Sequence, residues 1–101
     1  MPFRHVVMFK WAEDVPDDHV DRVRDGLNAL PPEIDQIRSY VHGADVGVSV
    51  DNFDYVVVAD FDNVNDFRTY RDHPQHVLFI EEVIKGRVAE RAAVQYQTGP
   101  S

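Results

Sequence analysis

The sequence predicts an α+β fold, a four-stranded antiparallel sheet carrying helices on one face, and three observations predict it. Apolar residues alternate around Phe3 to Trp11 and Phe53 to Phe61, and each of these stretches is followed by one with helical spacing. The elements fall into two similar halves, βαβ and then βααβ. In the second half the run Tyr70-Arg71-Asp72-His73-Pro74-Gln75-His76 interrupts the helix. Proline lacks an amide hydrogen and fixes its own φ, so it ends one helix and suits the first position of the next. With 101 residues and 44% apolar composition the chain is expected to be one domain, 1–101, around a single core.

Phe3 to Trp11 is rich in β-branched and aromatic residues and forms the first strand. Phe3, His5, Val7, Phe9 and Trp11 share one face. Arg4, Val6, Met8 and Lys10 share the other, which is apolar at its centre and charged at its ends. Pro16-Asp17-Asp18 suits a helix start, because negative charge is favourable there. Val20, Val23, Leu27 and Leu30 then recur at helical spacing until Pro31-Pro32. Ile34 and Ile37 lead into a second extended segment, Ile37 to Val46, in which Gly43 and Gly47 predict a bulge or bend.

The third strand runs from Phe53 to Phe61, with Tyr55, Val57, Ala59 and Phe61 on one face and Val56 and Val58 on the other beside Asp54 and Asp60. Asp62 or Asn63 caps a helix on which Val64, Phe67 and Tyr70 align. Beyond Pro74, the residues Val77, Ile80, Val83, Ile84 and Val88 predict a further helix with a wide apolar face. Arg91 to Gln97 is the last strand, before the tail Thr98 to Ser101. This order is that of a ferredoxin-like βαββαβ sandwich with a broken second helix.

Such a sheet leaves one face uncovered, and antiparallel sheets normally make that face polar. Here Val6, Met8, Val56 and Val58 lie on it. Burying each side chain is worth roughly 1.5 to 3 kcal/mol, so a symmetric homodimer through the open sheet face is expected. Asp60 belongs at the rim of that contact.

The formal charge is −8 and the ten Lys and Arg residues are scattered. Nucleic acid and anionic membrane surfaces are therefore not expected partners, since both require local positive charge. No cysteine is present, which removes disulfides and thiolate chemistry. No stretch is long enough to span a bilayer, and the N-terminus lacks the pattern of a secretory signal, so a cytoplasmic protein is expected.

The Tyr70 to His76 corner is the candidate site for chemistry. An imidazole at His76, in the first turn after Pro74, is disfavoured as a cation by the helix dipole, and so is suited to accept a proton near neutral pH. Tyr70 is suited to donate a hydrogen bond to a carbonyl and stabilise the enolate formed from it. His5 shares its strand face with Val7 and Phe9 and lines the same helix-covered side. His73 is expected to cap the helix that Pro74 begins. The opposing reading gives each residue a structural role: a packed tyrosine with its hydroxyl satisfied, and a His-Pro corner that only turns the chain. His5, Asp72, His73 and His76 include metal-ligating types, but a catalytic metal needs three convergent ligands and no such pattern is present, so neither metal nor cofactor is expected.

The opening His5-Val6-Val7-Met8-Phe9-Lys10, the Gly43 region, Tyr70-x-x-His73-Pro74-x-His76 and a final strand ending near Tyr96 together resemble the stress-responsive α/β barrel (Dabb) family. The resemblance spans nearly the whole chain and implies a dimeric α+β barrel. One branch includes olivetolic acid cyclase, which closes a linear polyketide by aldol condensation with the tyrosine and last histidine of this motif. The resemblance thus implies Tyr70 and His76 as catalytic residues with His5 near the pocket, and the shared strand face is expected to put Val7 and Phe9 with His5 against a hydrophobic small-molecule ligand. Other members are stress-induced proteins without assigned chemistry, so a lyase or cyclase, a non-catalytic binder and a structural dimer all remain open. Related α+β barrels include haem-degrading and cofactor-independent monooxygenases, whose sequence patterns are not recognisable here.

Overall fold

The computed structural model describes residues 1–99; Pro100 and Ser101, the end of the expected tail, lie outside the described residues. In chain order the elements are β1 (Phe3–Trp11), α1 (His19–Asn28), β2 (Ser39–Ala44), β3 (Tyr55–Phe61), α2 (Val64–Asp72), α3 (Pro74–Phe79) running on into a π-helical turn (Ile80–Ile84), and β4 (Val88–Gln97). The strands form one antiparallel sheet in the order β2-β3-β1-β4. This is the ferredoxin-like fold that the alternation and the two halves predict. No helix among the described residues is long and apolar enough to cross a membrane.

Period-two alternation in β1 and β3 places Val7, Phe9, Tyr55, Val57, Ala59 and Phe61 on the helix side, all buried. Val23 and Leu27 of α1, Tyr70 of α2, Phe79 of α3 and Ile84 of the π turn close the core over them. Gly26 allows α1 to sit directly on the Phe79 ring, because a Cβ at that position would collide with it. The sequence reading gave no role to His19, yet it is 2% exposed with its ring edge-on to Trp11, 4.4 Å between centroids.

Several boundaries differ from the sequence reading. Helix α1 ends at Asn28, and Leu30 and Ile34 are buried from the turns that follow, where the Ile34 amide donates to the Leu30 carbonyl at 3.1 Å. Strand β2 is shorter than expected. Gly43 sits regularly within it, and the left-handed turn falls at Gly47, φ 78°. The sheet's irregularity lies instead between Lys10 and Trp11, opposite β4. Val88 is a β4 residue and not part of the preceding helix: Gly86, φ 79°, ends the π turn and swings the chain into the sheet. Val77 is exposed although helical spacing placed it on the apolar face. The Lys85 amide donates to the Ile80 carbonyl at 2.8 Å, a bond spanning five residues. That wider turn puts Phe79 and Ile84 on the inner side together.

On the open face the register aligns Val41, Val58, Val6 and Val94 in one row across all four strands. Gly43, Val56, Met8 and Ala92 form the next. Charged groups bracket these rows. At one end Arg4 grips Asp60 with two bonds of 2.7 and 2.9 Å, and at the other Lys10 approaches Glu90 at 3.6 Å. Asp60, out of place on an apolar face, is thus accounted for by its strand partner.

Candidate functional site

The helices do not fill the space above β1 and β4. A cavity of about 460 Å³ remains there, with walls from β1, β4, α1, α2, α3 and the π turn. His5, Val7, Phe9, Tyr70 and His76, the residues singled out in the sequence, all line it. The inner face of β4 leaves the room. Residues Arg91, Ala93 and Gln95 stand opposite Phe9, Val7 and His5, so the strand offers the core no large apolar side chain at these three positions.

The corner is built from local capping. Helix α2 starts at Asn63, whose side-chain oxygen accepts the Asp66 amide at 2.8 Å. His73 caps α3 as expected, its Nδ1 accepting the Gln75 amide at 3.1 Å, with Pro74 in the first turn. The half-buried His76 therefore faces back over the α2 terminus, its Nδ1 2.9 Å from the Arg71 carbonyl oxygen. A carbonyl only accepts, so Nδ1 carries the proton and Nε2 presents a lone pair. Burial is the main cause pushing the His76 pKa below its ordinary value; the carbonyl bond and Asp72 oppose it. Burial therefore outweighs these opposing groups.

His5 has the complementary tautomer. The Gln95 side-chain amide donates to His5 Nδ1 at 2.9 Å, which leaves the proton on Nε2. Burial first, then the positive charge of Arg91 and of a protonated His76, push the His5 pKa down to about 4. Its ring packs against Phe67 with centroids 4.9 Å apart. The cavity thus holds two neutral imidazoles, one set to accept a proton and one set to donate a hydrogen bond.

Tyr70 is 3% exposed, and its ring lies 4.4 Å from that of His76. Its hydroxyl is 2.7 Å from the hydroxyl of Tyr40, a β2 residue outside the cavity wall. Burial raises the Tyr70 pKa to about 12, with the Tyr40 bond opposing, and burial raises that of Tyr40 as well. Both phenols stay protonated at neutral pH.

The residues considered as metal ligands are not brought together. His5 and His76 line the cavity, Asp72 pairs with Arg71 at 2.9 Å, and His73 is occupied as a cap. Among the described residues no group of three His, Asp or Glu side chains converges. Sequence reading missed Gln95, Arg91 and Tyr40. Arg91 and Gln95 are four apart on one strand and so share a face, but only the β1–β4 register shows which residues they meet.

Comparison with known proteins gives a consistent result. The model of the stress responsive A/B barrel domain matches residues 3–98. A stress-response A/B barrel domain-containing protein of Arabidopsis thaliana is 30% identical over 80 residues, 76% of this chain and 69% of that protein. A dimeric ferredoxin-like protein of unknown function from Thermobifida fusca superposes with a TM-score of 0.90 at 39% identity, covering 97% of this chain and 92% of that one. The hydroxynitrile lyase of Passiflora edulis superposes with a TM-score of 0.84, covering 99% of this chain and 95% of that one; at 17% identity it shows a shared fold.

Proposed function

The chain belongs to the stress responsive A/B barrel domain family, and from that premise we propose that it is a small-molecule lyase or cyclase abstracting a proton next to a carbonyl. The observation carrying this reading is the pair of complementary tautomers in one apolar cavity: His76 with a free Nε2 lone pair, and His5 with a proton on Nε2. His76 is the base. His5 steadies the carbonyl oxygen as negative charge develops on it. Tyr70 adds a second donor when Tyr40 gives its own proton to the Tyr70 oxygen, which frees the Tyr70 O–H to turn toward substrate. Val7 and Phe9 supply apolar contact. The hydroxynitrile lyase of the same fold supports the reading as one example of a lyase on a similar scaffold.

Decan-2-one in D2O tests the proposal, with hydrogen exchange at its α-carbons followed by NMR. Exchange is expected to accelerate with the wild-type protein and to drop by about two orders of magnitude in His76→Asn, the usual share of a general base. Ketone binding without accelerated exchange sinks the enzyme reading. It would favour a non-catalytic binder, a second reading supported by the Tyr70 hydroxyl being engaged by Tyr40.

The open-face rows of Val41, Val58, Val6 and Val94 support a homodimer, as does the dimeric description of the Thermobifida fusca protein at 39% identity. The two sheets would pack face to face, with the Arg4–Asp60 pairs at the rim.

A further inference from the structure

Acidic residues outnumber basic ones in this chain, 18 to 10. Around the cavity the balance reverses: Arg71, Lys85 and Arg91 line it, and no carboxylate does. Two of the three cations are already neutralised locally. Arg71 forks onto Asp72 at 2.9 and 3.0 Å, and Lys85 meets Glu81 at 3.2 Å. Arg91 has neither an ion pair nor a side-chain hydrogen bond among the described residues. It stands opposite Phe9, on the helix-facing side of β4, one pleat repeat before Ala93 and two before Gln95. It is exposed yet lines the cavity, and its positive charge is one of the causes that lower the His5 pKa.

A guanidinium on an apolar wall matches a planar carboxylate, which it grips with two parallel bonds. Deeper in, Val23, Leu27, Phe79 and Ile84 offer only hydrocarbon. We propose that the cavity takes an amphipathic carboxylate, its apolar body against these four side chains and its head held at the mouth by Arg91. The inference rests on the cavity being a ligand site and names the chemistry of what enters.

Titration calorimetry at low ionic strength with decanoate, decan-1-ol and decyl phosphate tests it. Wild-type protein is expected to bind decanoate at least tenfold tighter than decan-1-ol, and added salt is expected to narrow the gap. Arg91→Gln is expected to remove that preference, while decan-1-ol binding changes by less than twofold. Arg68→Gln makes the same change in net charge away from the cavity and is expected to leave the preference intact. Equal binding of decanoate and decan-1-ol by wild type, or a preference that survives Arg91→Gln, overturns the carboxylate. Tighter binding of decyl phosphate than of decanoate overturns it in favour of a phosphate head. Binding of none of the three overturns the ligand-site reading as well.

Discussion

Replacing His5 with glutamine should make the protein less sensitive to acid, by an amount the structure sets. Free histidine titrates at 6.5, whereas burial and the charge of Arg91 hold His5 down to about 4. As pH falls through 6.5 the unfolded chain takes up a proton at this position, and the native chain does not until about 4. The unfolded state binds more protons throughout that window, so the contribution of His5 is fully present above 6.5 and is lost progressively down to 4. With about 1.4 kcal/mol per pKa unit, the loss between pH 7.5 and 4.5 comes to about 2.5 kcal/mol. Urea unfolding at both pH values, at one protein concentration, measures it for wild type and His5→Gln. Other groups of lowered pKa, His76, His19, His42 and Asp60 among them, add acid sensitivity to both proteins and cancel in the comparison. Glutamine keeps an amide beside Gln95, so the substitution removes the titration and keeps a hydrogen-bonding partner. If both proteins lose the same stability between the two pH values, His5 is not held neutral by its surroundings, and its assignment as a donor through Nε2 fails with it.

Tyr70→Phe removes one half of the 2.7 Å phenol pair and strands the half-buried Tyr40 hydroxyl. About 1 to 3 kcal/mol of stability should be lost in chemical denaturation, and Tyr40→Phe with Tyr70→Phe should recover part of it. Gly26→Ala gains helix propensity of about 1 kcal/mol, but its methyl group meets the Phe79 ring. Overpacking of that kind costs about 1 to 3 kcal/mol, so the net effect is expected to be a modest loss together with weaker ligand binding, since Phe79 is a cavity wall. Val58→Asp places a charge in the middle of the valine row and should convert a dimer to monomer in sedimentation, with the helix-side core unaffected.

The parts of the fold that were legible in the sequence depend on local rules. Alternation fixes which side of β1 and β3 faces the helices whatever their neighbours are, and the proline at 74 breaks a helix through its own geometry. The cap at His73 follows from the same local rule. Where the reading slipped, the deciding interaction was tertiary. Val77 and Val88 fit a helical period, but the five-residue bond from Lys85 to Ile80 changes the period at that point, and Gly86 ends it. No residue type encodes a π turn as plainly as proline encodes a break. The site divides in the same way. Tyr70, His76, His5, Val7 and Phe9 were found because a motif or a shared strand face marks them. Gln95 and Arg91 matter through register across 90 and 82 positions of sequence, and Tyr40 through a single contact with Tyr70.

The cavity also bears on why β4 is so polar. β4 is an edge strand of the sheet, yet three of its side chains line the cavity, and its neighbour β1 contributes Val7 and Phe9 to the core. Opposite them β4 offers Ala93 and Arg91. Each missing Val or Leu forgoes roughly 1.5 to 3 kcal/mol of burial, so the chain gives up stability along the strand that borders the imidazoles. The π turn has a similar effect. It costs regular helical bonding, yet it lets Phe79 and Ile84 form a wall on one side without closing the space between them and His76. A core selected for stability alone would be expected to fill that space, since filling cavities is a common route to a more stable protein. Two independent departures from good packing, in β4 and in the π turn, border one cavity. Their coincidence is what favours a ligand site over an accident of packing.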